Sequence, residues 1–251
     1  MFGKKQTSKF SKICYKILRG LIKFFYPKIE IVGLENLPKE ASIIVGNHSQ
    51  MNGPIIAELY FPPKKAIWCA GQMMEFREVP QYSYQDFWCH KPKYTKWFYK
   101  LLSYIITPIS VCLFNNAHTI AVYRDARILS TFRNTIKALK SGNNVIIFPE
   151  CPEEHNNIVN KFQDRFIDVA KYYYKKTGKS LSFVPMYIAP KLKKAYIGKP
   201  IEFNPDNDIK DEFIRITDYL MKEITSIAVA LPEHTVVPYN NISKSKYKKN
   251  K

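Results

Sequence analysis

The sequence has no C-x-x-C pair. Its five cysteines (Cys14, Cys69, Cys89, Cys112 and Cys151) are scattered and odd in number, which argues against a disulfide framework or a zinc site and fits a reducing, cytosolic compartment better. Acidic residues are scarce, 21 against 39 lysines and arginines, so the formal net charge is +18 over 251 residues. A surplus of that size implies an anionic partner: a phospholipid surface, nucleic acid or a phosphorylated substrate. No stretch reaches the roughly 20 uninterrupted apolar residues that span a bilayer. The nearest, "WFYKLLSYIITPISVCLF" at 97–114, contains Lys100 and Pro108 and reads as a buried core helix or a re-entrant patch. The first 26 residues lack the clean apolar run and small-residue cleavage site of a secretory signal. RNP, helix-turn-helix and finger signatures are missing too, and most of the 17 tyrosines and 16 phenylalanines sit in apolar runs. Nucleic acid is therefore not the expected partner.

The composition that is present, 46% hydrophobic, is that of a globular chain long enough for one sizeable domain. Residues 1–28 stand apart from it. In "FSKICYKILRGLIKFFY" (10–26) the residues Phe10, Ile13, Cys14, Ile17, Leu21, Ile22 and Phe25 recur at helical spacing, with Lys12, Lys16, Arg19 and Lys23 on the other face. An amphipathic helix whose polar side is wholly basic is the pattern of a helix lying in a membrane interface. A second basic cluster, "KSKYKKNK" (244–251), has no core residues, and 239–251 are expected to form a disordered tail.

Between them, 29–238 alternate. Strand-like runs occur at 29–34, 41–47, 65–70, 118–124, 143–150, 181–189 and 193–203, and helical periods at 125–142, 162–178 and 209–231. Gly142 and Gly178 stand where C-caps belong. The alternation predicts a three-layer α/β fold with a mixed, largely parallel central sheet flanked by helices.

Reactive groups of such sheets sit beyond the carboxyl ends of strands. Three polar clusters occupy that place: "NHSQMNGP" after "SIIVG", "YRDAR" after "TIAV", and "PECPEEHN" after "VIIF". Together these blocks resemble the glycerophosphate acyltransferase family, which includes the lysophosphatidic acid acyltransferases. Asn47, His48, Gly53 and Pro54 match its first block, Arg124 its second, "FPE" (148–150) its third, and "FVPMYIAP" (183–190) its fourth, in order, with "VGLENLP" (32–38) upstream.

The resemblance implies a membrane-associated acyltransferase, 1-acylglycerol-3-phosphate O-acyltransferase-like, working in phospholipid biosynthesis on the cytoplasmic face of the membrane as a peripheral or monotopic protein. His48 would be the general base, with Asn52 its orienting partner. Asn47, Gly53, Arg124, Phe148, Pro149 and Glu150 would bind substrate. No cofactor or metal is implied: the partners are an anionic membrane surface, an acyl thioester donor (acyl-CoA or acyl carrier protein) and a lipid acceptor. Two departures bear on this. Gly53 holds the place of the family's aspartate, and Asn52 stands one residue earlier; Glu58, Glu75 or Asp86 are alternative sources of a carboxylate. Glu153 and Glu154 stand where a cation is expected, which argues against a phosphomonoester acceptor, unless Arg124, Arg127 or Arg165 compensates. A lipid-binding relative that kept the fold and lost catalysis with its aspartate is the competing expectation.

Overall fold

A computed structural model describes residues 7–251 apart from positions 90, 124 and 164. In chain order, α1 is Lys9–Phe25, β1 Glu30–Val32, β2 Ile43–Gly46, α2 Asn52–Leu59, β3 Lys65–Ala70 and α3 Val79–Ser83. Then come α4 Lys96–Asn116, β4 Thr119–Val122, α5 Ile128–Lys140, β5 Asn144–Ile147, β6 Glu150–Glu154 and β7 Asn160–Phe162. The chain ends with α6 Asp168–Thr177, β8 Ser182–Ala189, β9 Lys194–Ile197, β10 Ile201–Glu202 and α7 Ile209–Ala230. It divides into two compact units, Met1–Tyr26 with Trp68–Asn134, and Pro27–Ile67 with Thr135–Lys251.

The second unit is built on a sheet of order β1-β9-β8-β2-β5-β3, with β10 added to β8. The pairs β1–β9, β2–β8, β2–β5 and β3–β5 are parallel, while β9 and β10 run antiparallel to β8. Its centre is the continuous apolar runs of β2, β5 and β8: Ile43, Ile44, Val45, Val145, Ile146, Ile147, Phe183 and Val184 are buried. Strands covered on both faces have no polar alternation to show. The mixed, largely parallel sheet with flanking helices is the fold class the alternation predicts.

Local details differ for physical reasons. The apolar run at 193–203 makes two strands: Gly198 N–H still donates to Pro185 O (2.8 Å) in the β8–β9 register, but Pro185 and Pro200 have no N–H to offer, and β10 resumes pairing with β8 one residue out of step. The helix expected at 162–178 starts only at Asp168, since Asn160–Phe162 pair with β6 in a hairpin. It stops on Gly178, whose φ of 68° is left-handed.

The C-terminal residues are the largest departure. Instead of a disordered tail, Asn250 is buried, donating from Nδ2 to Ala228 O (2.7 Å) and accepting from His234 N–H (2.8 Å). Val236 N–H donates to Lys248 O (2.9 Å), and Thr235 bridges to Lys249. Single polar anchors, which carry no periodicity, order a segment whose composition reads as solvated.

In the first unit, the hydroxyl of Ser8 caps α1 by accepting from Ser11 N–H (3.1 Å). Its amphipathic face is not covered as a globular helix's would be. Ser11, Cys14 and Ile22 are half-buried, and Asn116 of α4 donates to the Ser11 hydroxyl (2.8 Å), but Phe10, Ile13, Ile17, Leu21 and Phe24 remain 51–81% exposed. The 97–114 segment is neither a buried core helix nor an ordinary amphipathic one. The side chains that α4 buries are small and polar, Ser103, Thr107 and Ser110, while Trp97, Leu101, Tyr104, Ile105 and Ile109 are exposed. Ser110 Oγ donates to Met73 O (3.0 Å) and Asn115 Nδ2 to Met74 O (2.9 Å). Among the described residues, the helical span Lys93–Asn116 is long and apolar enough to cross a membrane.

Candidate active site at the ends of β2 and β5

Strand β2 ends at Gly46, and the side chain of Asn47 extends its pairing with β8. Asn47 Oδ1 accepts from Ile188 N–H (2.6 Å) and Nδ2 donates to Ile188 O (3.1 Å). Asn47, expected from the motif to bind substrate, is buried and its amide stands in for a backbone unit, clamping the end of β2 to β8.

His48 follows, half-buried. Its backbone N–H donates to a carboxylate oxygen of Glu150, whose other oxygen accepts from Asn160 N–H (2.8 Å). Glu150 is 2% exposed, and burial pushes its carboxyl up to about 7 against the pull of these two N–H donors. Glu150, also expected to contact substrate, is thus a buried brace between the His48 loop and the β6–β7 hairpin. Phe148 and Pro149 lead into it. Phe148 sets its ring at 66° to the imidazole with centroids 5.5 Å apart, and Pro149 O accepts from Gln163 N–H (2.7 Å).

The imidazole is held by the chain just after it. Ser49 and Gln50 both take left-handed φ, 49° and 54°, which brings the Gln50 carbonyl oxygen against His48 Nδ1. A carbonyl only accepts, so Nδ1 carries the proton and Nε2 is the basic nitrogen of the neutral ring. Two consecutive non-glycine residues in this conformation cost about 1–2 kcal/mol each, and strain of this kind gathers at functional sites. Asn52 Nδ2 donates to Ser49 O (2.8 Å), as does its backbone N–H (3.1 Å). Both bonds fasten the turn that presents Gln50.

Gly53 opens the first turn of α2, its N–H donating to His48 O (3.0 Å). A Cβ there would lie 2.6 Å from His48 O and 2.9 Å from Phe148 Cε1. Glycine is required for close approach, which the motif spacing alone does not reveal. Glu153 pairs with Lys161 and Glu154 with Lys248 (3.3 Å), all four exposed. Each of these two carboxylates thus has an ammonium partner. Arg124 lies outside the described residues. Among the described residues no group of three or more His, Cys, Asp or Glu side chains is arranged to hold a metal ion.

Sequence reasoning missed Gln50, Tyr239 and Tyr247. Gln50 Nε2 donates to Tyr247 Oη (2.8 Å) and Asn240 O (3.2 Å), and Tyr239 sets its ring at 89° to the imidazole with centroids 5.6 Å apart.

No family model matches the chain, and no curated protein matches it. The chain is similar to the crystal structure of the 1-acyl-sn-glycerophosphate (LPA) acyltransferase PlsC from Thermotoga maritima. That likeness has 18% sequence identity, covers 86% of this chain and 80% of that chain, and has a TM-score of 0.43. A likeness at this score and identity decides neither the family nor the activity of this chain.

Proposed function

We propose that this protein is a membrane-associated acyltransferase that moves a fatty acyl group from a thioester to a lipid hydroxyl, with His48 as general base. The observation that carries the reading is the convergence of the Asn-His and Phe-Pro-Glu segments. They lie 102 residues apart in sequence and are joined by the His48 N–H bond to Glu150, with the imidazole fixed in the tautomer that leaves Nε2 basic. In the reaction, Nε2 takes the proton of the acceptor hydroxyl as its oxygen attacks the thioester carbonyl. The tetrahedral adduct collapses, the C–S bond breaks, and the imidazolium returns the proton to the departing thiolate. No covalent enzyme intermediate is needed.

Membrane association rests on the first unit. The exposed apolar residues of α1 and α4 and the basic face of α1 suit an anionic bilayer surface. Each lysine or arginine near such a surface contributes about 1 kcal/mol.

The test is thiol release from acyl-CoA and from acyl carrier protein thioesters against a panel of lysophospholipids and neutral lipid alcohols. His48→Ala is expected to lower turnover by about 10²–10⁴-fold with little change in melting temperature. A folded His48→Ala variant as active as wild type sinks the general-base reading. One observation favours a second reading, a lipid-binding protein with weak or no catalysis: His48 Nδ1 meets a neutral carbonyl, which stabilises an imidazolium less than a carboxylate does. Absence of thiol release with every acceptor, alongside retained lipid binding, would decide for it.

A further inference from the structure

We propose that the C-terminal segment 239–250 is a positioning strap for His48, doing through Gln50 what a motif carboxylate would do directly. The proposal rests on the general-base reading of His48. Its starting point is the strained turn. Ser49 and Gln50 hold left-handed φ without the help of glycine, and this conformation is what sets the Gln50 carbonyl on His48 Nδ1. A backbone carbonyl is a good orienter only if its own backbone is held.

Two groups of the C-terminal segment grip the side chain of Gln50: the Tyr247 hydroxyl accepts from Nε2 at 2.8 Å and the Asn240 carbonyl accepts at 3.2 Å. The neighbouring Tyr239 ring stands edge-to-face with the imidazole. The segment is in turn anchored at its far end, where buried Asn250 bonds Ala228 O and His234 N–H, and along its length by Val236 N–H to Lys248 O. The path therefore runs from α7 through Asn250 and Tyr247 to Gln50 and the imidazole.

The chemistry explains why such a strap is useful here. Gly53 stands five residues after His48, where the family that the motif resembles has its aspartate, and the Asn52 amide donates to Ser49 O. A side-chain carboxylate finds Nδ1 by rotation about its own bonds, whereas a main-chain carbonyl cannot turn without moving the chain. Gln50 supplies the handle, and Tyr247 and Asn240 hold it. Gln50, Tyr247 and Asn240 are positioning residues: none needs to touch the reacting atoms.

The test uses the full chain and two readouts, ring ¹⁵N spectra of His48 and steady-state kinetics with acyl-CoA. In wild type the neutral ring is expected as the Nδ1–H tautomer. Tyr247→Phe, which keeps the ring and removes the hydroxyl, and Gln50→Ala should each give a tautomer mixture. Each should also lower kcat about tenfold with the KM for acyl-CoA unchanged. The double variant should be no worse than Gln50→Ala alone, since both act through one path. Unchanged ¹⁵N spectra in both single variants overturn the strap. So does a fall in melting temperature with kcat per folded molecule intact, the mark of a merely structural tail. Because the spectra do not depend on turnover, they decide the strap even if His48→Ala proves active. An inactive His48→Ala beside wild-type Tyr247→Phe and Gln50→Ala kinetics and spectra would leave the base in place and remove only the strap.

Discussion

His48 and Glu150 each stand three residues beyond a register pair of neighbouring parallel strands, Val45 of β2 and Ile147 of β5, and the backbone N–H of one donates to the carboxylate of the other. Equal offsets past a parallel register bring two loops to the same height at the sheet's carboxyl edge. There Glu150 holds the main chain of His48, while Nδ1 of the ring meets the Gln50 carbonyl.

The burial of Glu150 sets a pH prediction. The Glu150 carboxyl rises from its ordinary 4.5 to about 7 because burial disfavours the anion. Between these values the folded protein holds a proton that the unfolded chain has released. This group's contribution is thus fully present below about pH 4.5 and is lost as pH rises through about 7. A shift of this size corresponds to about 3 kcal/mol. Urea unfolding at pH 5 and pH 8 should show Glu150→Gln losing less stability over that interval than wild type. Equal losses would mean that the Glu150 carboxyl titrates as if exposed.

Gly53→Ala tests the close approach of α2 to the His48 loop. The added Cβ meets a carbonyl oxygen at 2.6 Å and a packed ring at 2.9 Å, and a backbone atom cannot swing aside. Overpacking of this kind costs about 1–3 kcal/mol, and relieving it moves His48 O. Stability should fall by that amount in denaturant, and turnover per folded molecule should fall with it. A Gly53→Ala protein matching wild type in both would show that the loop has slack.

Much of the sheet was legible in the sequence, since apolar runs such as "SIIVG" and "NVIIF" and the helix-ending Gly142 and Gly178 announce themselves by period and by turn chemistry. The convergence of His48 with Glu150 followed from the rule that places polar clusters past strand ends. Three features were not legible. The strap is ordered by Tyr247 and Asn250, isolated residues in a lysine-rich run that reads as solvated. The turn at Ser49–Gln50 is left-handed without glycine, and nothing in composition signals that. In 97–114 the apolar content was plain, but which face is covered depends on Ser103, Thr107 and Ser110 finding polar partners, a tertiary fact.

Asn52 invites a substitution that its position in the motif makes attractive. Asn52→Asp puts back a carboxylate, yet the amide it replaces donates to Ser49 O at 2.8 Å, and a carboxylate has no proton to give. A small gain from negative charge at the start of α2 offsets part of the loss. The variant is expected to be about 1 kcal/mol less stable and no more active. A rise in turnover in Asn52→Asp would mean that the new carboxylate reaches the imidazole and that the turn is freer than its two hydrogen bonds suggest.

The last prediction concerns the membrane. Helix α1 offers both charge and apolar surface, with Lys12, Lys16, Arg19 and Lys23 beside the exposed Phe10, Ile13, Ile17, Leu21 and Phe24. Helix α4 offers apolar surface with hardly any charge, its small polar residues being turned inward. The two should therefore fail differently. Reversing the four α1 charges is expected to weaken binding to vesicles containing phosphatidylserine steeply, at about 1 kcal/mol per charge removed. It should leave a residual affinity that falls less steeply with salt than that of wild type. Replacing Trp97, Leu101, Tyr104 and Ile105 by serine removes insertion and keeps attraction. That variant should bind anionic vesicles weakly at low salt and release from them at high salt. Flotation of both variants across a salt series checks this. If the α4 variant binds as wild type at every salt concentration, α4 does not enter the bilayer, and its exposed face belongs to another partner.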